Sequence, residues 1–160
     1  MMRKMLLSMQ PFWKDKIISG DKIYEYRSRF PKEEVIAYLY VSSPVCAITG
    51  VLHLGEYQLL TEWKEKYNSN SEVLKRILDY ESRKNKMAMP VLSYQDTTAL
   101  TRKELDKNIK KFVVPQSYYY LTDDMELTKY ISDNIQLIGD LMENDFSAEN
   151  PIEICRNYRS

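Results

Sequence analysis

Apolar and polar positions along the chain switch repeatedly between a period of two and a period near 3.6. Met5 to Met9 is a short apolar run. Pro11 follows, with Phe12, Trp13, Ile17 and Ile18 at helical spacing and Gly20 as a stop, so a strand and a short helix are expected. Lys22 to Arg27 then alternates, with Tyr24 and Tyr26 on one side and Ile23, Glu25 and Arg27 on the other, until Phe30-Pro31 breaks the pattern. Val35 to Val41 and Val45 to Tyr57, rich in β-branched and aromatic residues, read as two strands joined by a turn at Ser42-Ser43-Pro44. Thr61 to Tyr67 and Ser71 to Tyr80 read as helices, the second capped by Ser71. Met87 to Tyr94 returns to strand, and Thr101-Arg102-Lys103-Glu104 has capping-box spacing. Phe112 to Val114 reads as a short strand stopped by Pro115. Thr122 to Ile138 carries the longest helical pattern, with acids in its first turn.

This intermixing, without internal repeats or a dividing linker, predicts one α+β domain over residues 1–138. About five or six strands in a curled sheet or small barrel, with flanking helices, are expected. Residues 139–160 read as an acidic, peripheral extension.

Composition narrows the chemistry. The chain has 160 residues, 44% hydrophobic and 29% charged, which fits one globular domain and excludes a disordered or collagen-like chain. Neither a secretion signal nor a run of roughly twenty apolar residues is present, so a cytoplasmic protein without a membrane partner is expected. The two cysteines, Cys46 and Cys155, have no metal-ligand spacing, and the single histidine, His53, rules out a two-histidine metal site. No metal or cofactor is expected. Four glycines leave little for phosphate-cradling loops. Gly50 and Gly55 have P-loop spacing, but Glu56 and Tyr57 stand where lysine and a hydroxyl are required, so a bulge or a close backbone approach is the better reading.

The net charge is zero, yet Met1 to Lys32 holds eight basic and three acidic residues and Thr122 to Ser160 holds three basic and nine acidic. Any attraction to a polyanion must therefore be local. Gly20-Asp21-Lys22-Ile23-Tyr24-Glu25-Tyr26-Arg27 concentrates charge on a strand that should belong to the sheet. It reads either as a solvated face or as a polar cleft with converging cations and a carboxylate. Strict alternation places Lys22 opposite Glu25 and Arg27, so the three converge only if Lys22 belongs to the turn after Gly20.

Gly20, Lys22, Glu25 and Arg27 reproduce the Gly-x-Lys-x-x-Glu-x-Arg signature of the ASCH domain, a branch of the PUA-like superfamily. Ser42-Ser43-Pro44, Ile48-Thr49-Gly50 and Pro115-Gln116-Ser117-Tyr118 follow in the matching order, so the chain resembles that family over roughly residues 4–125. The resemblance implies a small PUA-like β-barrel with flanking helices and a cleft whose mouth is lined by Lys22, Glu25 and Arg27. It also implies RNA or a nucleotide-like small molecule as the partner. Binding residues are then expected at Lys22, Glu25, Arg27, Ser42, Ser43, Gln116, Ser117 and Tyr118, with Tyr118-Tyr119-Tyr120 able to stack on bases and Lys107, Lys110 and Lys111 able to approach phosphate. A subgroup of small ASCH proteins resembles an amidohydrolase acting on acylated cytidine, using the signature lysine, a hydroxyl residue and a later glutamate. This chain has Glu25 at the hydroxyl position. The alternative is thus an amidohydrolase of modified pyrimidine nucleosides in which Lys22 and Glu25 transfer protons and water is the nucleophile. A protein-interaction domain using the acidic C-terminal region has no motif behind it.

Overall fold

A computed structural model describes residues 2–158; Met1 of the basic N-terminal segment and Arg159 and Ser160 of the acidic extension lie outside the described residues. The elements run β1 (Arg3–Met9), α1 (Pro11–Ile18), β2 (Tyr24–Arg27), β3 (Val35–Val41), β4 (Ala47–Leu54), β5 (Gln58–Leu59), α2 (Leu60–Lys66), α3 (Ser71–Ser82), β6 (Met87–Thr101), α4 (Arg102–Asn108), β7 (Tyr118–Leu121), α5 (Glu126–Asn134) and β8 (Leu137–Glu143), with a single 3-10 turn at Pro151–Glu153.

One mixed sheet connects the strands in the order β2-β6-β4-β3-β1-β7, with β5 and β8 also pairing with β6. Only β1 and β3 run parallel. The sheet curls because β6 is fifteen residues long and changes partners along its length. Its first residues pair with β2 and β5, whereas Val91 to Thr101 pairs with β4 and β8. The result is a half-barrel with helices packed on it, the curled α+β sheet expected from the sequence, with eight strands rather than five or six.

Both faces of β1 are covered, so its apolar run is continuous. Met5 and Leu7 point into the barrel with Val35, Ala37, Leu52 and Met89, while Leu6 joins Tyr40, Leu105, Leu127 and Ile131 beneath α4 and α5. A third cluster packs α2 and α3 on β2: Tyr24, Tyr26, Trp63, Ile77 and, from the chain's last turn, Ile154 and Cys155. Each fully buried aliphatic side chain contributes about 1.5–3 kcal/mol to holding these layers together.

The bulge reading of Gly50 is correct: the β3–β4 register shifts beside it, and an added Cβ would run into the Tyr94 ring. Other expectations are corrected. The long C-terminal helix ends at Asn134, and Leu137–Glu143 becomes β8 on the edge of β6. Gln136 O accepts from Thr98 N at 2.8 Å and Gln136 N donates to Thr98 Oγ1 at 3.0 Å, so backbone pairing outcompetes another helical turn. The segment after Gly139 is docked rather than peripheral, since Ile154 and Cys155 are completely buried. β4 stops at Leu54, three residues before the expected Tyr57. Phe112–Val114 forms no ladder. The cap of α3 is Asn70, whose Oδ1 accepts from Val73 N at 3.2 Å, rather than Ser71. No helix among the described residues is long and apolar enough to cross a membrane.

Candidate functional site

The site begins where α1 stops. Gly20 takes φ +80°, a left-handed conformation that suits glycine after a helix, and Lys22 N then donates to Lys16 O at 2.9 Å, folding the turn back onto α1. Lys22 therefore precedes β2 and escapes its alternation. Its Nζ lies 3.0 Å from Glu25 Oε1, and the same oxygen accepts from Tyr26 N at 2.9 Å. Arg27 approaches from the other side, with Nη2 3.6 Å from Glu25 Oε2. The condition set by the sequence pattern is met, and all three charges converge.

Lys22 is 3% and Glu25 5% exposed. Such burial is tolerated only because the charges are paired and hydrogen-bonded. The indole of Trp13 covers the Lys22 ammonium at 4.5 Å from the ring centre. Arg27 is anchored by donating to Ser8 O at 2.9 Å and to Ser117 Oγ at 3.1 Å. Burial lowers the Lys22 pKa, aided by Arg27 and opposed by Glu25. For Glu25, burial favours the neutral acid, but the charges of Lys22 and Arg27 and the hydrogen bonds from Lys22 and Tyr26 together hold its carboxyl below the ordinary value. Glu25 is thus a carboxylate whose Oε1 takes two hydrogen bonds, while among the described residues Oε2 has only the ion pair with Arg27.

Glu25 and Arg27 open onto a cleft of about 410 Å³, which Ser8, Gln10, Trp13, Ser42 and Gln116 complete. Behind Glu25, a smaller cavity of about 180 Å³ joins Lys22 and Trp13 to Tyr80, Arg83 and Asn85. Of the expected residues, Ser42 and Gln116 line the cleft with Glu25 and Arg27. Ser117 reaches it through Arg27, and Lys22 faces the cavity behind. Ser43 sits exposed on the turn, and Tyr118 packs on Phe30 beside a neighbouring recess. Lys110 and Lys111 line a separate apolar groove with Phe112 and Tyr119, away from the charged cluster. His53 pairs with Glu34 at 2.9 Å, a structural role. Sequence reasoning missed Trp13, which it read only as part of the apolar spacing of a helix, together with Ser8 and Gln10. Their signal is position alone, since they lie where β1 passes into α1. Among the described residues no cluster of three or more His, Cys, Asp or Glu side chains could hold a metal ion.

This geometry can accept a hydrogen bond from a ligand at Glu25 Oε2, donate from Arg27, and offer the small polar groups of Ser42 and Gln116. Three solved structures share the architecture over 83% of the chain. They are ASCH from Zymomonas mobilis, with TM-score 0.63, 21% identity and 96% of that chain covered, and two single-residue variants of the same protein. The serine-to-alanine variant has TM-score 0.62, 20% identity and 96% of its chain covered; the tyrosine-to-phenylalanine variant has 0.61, 20% and 99%. This chain has the ASCH fold. No family model matches the sequence, and no curated protein matches it significantly. Within the ASCH fold of this chain, the Gly20–Arg27 segment forms the α1–β2 turn and the edge strand β2, and it brings Lys22, Glu25 and Arg27 together, with Glu25 and Arg27 on the cleft and Lys22 on the cavity behind it.

Proposed function

We propose that this ASCH-type protein binds RNA or a nucleotide-like ligand, with a base in the cleft between Glu25 and Arg27. The observation that carries the reading is the buried, ionised carboxylate of Glu25, which lines a cleft of about 410 Å³ beside the Arg27 guanidinium, 3.6 Å from its Oε2. An acceptor-only carboxylate selects a donor-bearing base edge, such as the amino group of cytosine, and Arg27 provides the charge for a phosphate or a carbonyl. The signature residues Gly20, Lys22, Glu25 and Arg27 support the same reading.

The test is a calorimetric titration with cytidine monophosphate and single-stranded RNA. Arg27→Ala is expected to weaken binding by about ten- to a hundredfold, the worth of one hydrogen bond to a charged group. Unchanged affinity in that variant and in Glu25→Gln would eliminate the site.

A second reading draws on Lys22, whose lowered pKa and 3.0 Å contact with Glu25 suit proton transfer in an amidohydrolase acting on an acylated pyrimidine nucleoside. It requires turnover of acylated cytidine that Glu25→Gln abolishes. An intact ligand after prolonged incubation at saturating occupancy would leave a binding module.

A further inference from the structure

β7 is the last strand on the sheet path and, among the described residues, pairs only with β1, so no strand covers its outer edge. Along it runs a second recess of about 610 Å³ whose walls include Arg29, Ser117, Tyr118 and Tyr120. It adjoins the cleft: Arg27 lines both, and the Arg27–Ser117 bond lies between them. Arg29 is exposed and has no ion-pair partner among the described residues. The Tyr118 hydroxyl lies within the fields of Arg29 and Arg27, which pull its pKa down against the stronger upward effect of burial. Tyr118 and Tyr120 stand edge to face with ring centres 6.0 Å apart. At the far end Arg3 covers Tyr120 at 4.5 Å but is already paired with Glu33 at 3.2 Å, and Asp123 lines the next recess. Arg29 thus adds uncompensated positive charge next to the cleft, while at the far end Lys4 shares the next recess with Asp123.

We propose that a single strand of RNA crosses both recesses, with one unpaired base in the cleft and its neighbouring nucleotides along β7. Phosphates lie against Arg27 and Arg29, and bases or sugars lie against the exposed parts of Tyr118 and Tyr120. The proposal rests on the nucleotide reading of the cleft and extends it. A duplex does not fit, because a stacked and paired base cannot offer its edge to Glu25. An acidic peptide is disfavoured because the path runs past the ionised Glu25. A mononucleotide alone leaves Arg29 unneutralised and the larger recess unused. Cations interleaved with aromatic rings beside a base-sized cleft are what a short single strand requires.

The experiment compares cytidine monophosphate with a short oligocytidine, by calorimetry and by anisotropy of the labelled oligonucleotide, on the wild type, Arg29→Glu and Arg29→Ala. Arg29 is exposed and unpaired, so the variants retain the fold, which circular dichroism checks. The expected result is oligocytidine binding at least about tenfold tighter than the mononucleotide. Arg29→Glu removes that advantage while leaving mononucleotide affinity unchanged, and Arg29→Ala lowers the slope of log affinity against log salt by about one. Equal affinities for the two ligands, or an oligonucleotide advantage that survives Arg29→Glu, would overturn the β7 path while the cleft reading stands. Oligonucleotide binding that depends on Arg29 but is indifferent to both Glu25→Gln and Arg27→Ala would overturn the cleft reading and with it the continuous path. Binding of neither ligand by the wild type would overturn both.

Discussion

Two glutamates in this chain gather donors and end in opposite situations. Glu149, in the C-terminal tail, accepts from Trp63 Nε1 at 2.9 Å on Oε1, and from Lys66 Nζ at 2.7 Å and the Tyr67 hydroxyl on Oε2. Both oxygens are occupied, and the carboxylate clamps the tail to α2. Glu25 takes its hydrogen bonds on Oε1 and leaves Oε2 without one at the cleft. Both carboxyls are held below their ordinary pKa, so electrostatic perturbation alone does not separate a structural carboxylate from a binding one. What separates them is residual hydrogen-bonding capacity beside a cleft.

The largest expected effect that tests this contrast is on stability. Glu25→Ala leaves the Lys22 ammonium buried without its counter-charge, and a loss of about 3–5 kcal/mol is expected in urea denaturation. Glu149→Ala leaves the Trp63 indole N–H and the Tyr67 hydroxyl unpartnered at a partly exposed site, with about 1–3 kcal/mol expected. Equal losses would erase the distinction. On ligand binding the order reverses in kind, because Glu149→Ala is expected to leave cytidine monophosphate affinity within about twofold, whereas Glu25→Gln removes the acceptor.

The acid limb of stability is expected next. The folded-state pKa of each carboxyl lies below the ordinary 4.5, so the unfolded chain takes up the proton first as pH falls. Each contribution is complete above the ordinary value and disappears as pH drops through the lowered one. Glu25→Gln should therefore flatten the acid limb of a stability-against-pH curve more than Glu149→Gln does, because Glu25 is lowered by two weakly screened cations, Lys22 and Arg27, whereas the Lys66 that pairs with Glu149 is largely exposed. The smallest expected effect is that of Lys66→Ala, whose ion pair with Glu149 is largely exposed; it should cost less than about 1 kcal/mol in the same denaturation.

Where side-chain burial drives the fold, the sequence was readable. β1, β3, β4 and the apolar faces of α2 and α3 follow their periodicity, and the alternation of β2 places Tyr24 and Tyr26 in the helical layer with Glu25 and Arg27 opposite. β8 was not readable, because all but one of its seven residues are exposed and it is held mainly by backbone pairing with β6, with Met142 as its side chain packed on the barrel core. The helical spacing of Ile131, Ile135 and Ile138 continued into it and hid the boundary. At the site, the charged trio was visible as a cluster, and its convergence depended on the Gly20 turn, which alternation cannot specify. Trp13 was invisible as a site residue because an aromatic on a helix reads as core until a cation is seen against it. The buried Ile154 and Cys155 carry too short a pattern to register.

The link between Cys155 N and the Tyr26 hydroxyl, at 2.8 Å, joins positions 129 residues apart. Arg156 Nη1 donates to Asp21 O at 3.1 Å, and Tyr158 packs edge-on against Trp13, so the last turns of the described chain buttress the charged cluster from behind. These contacts, like the β1–β7 pairing, close long loops, which places the protein among slow folders of high contact order, on the order of milliseconds to seconds. Residues 154–158 thus brace the backs of Tyr26, Asp21 and Trp13, so a chain cut before them would carry the signature without its buttress.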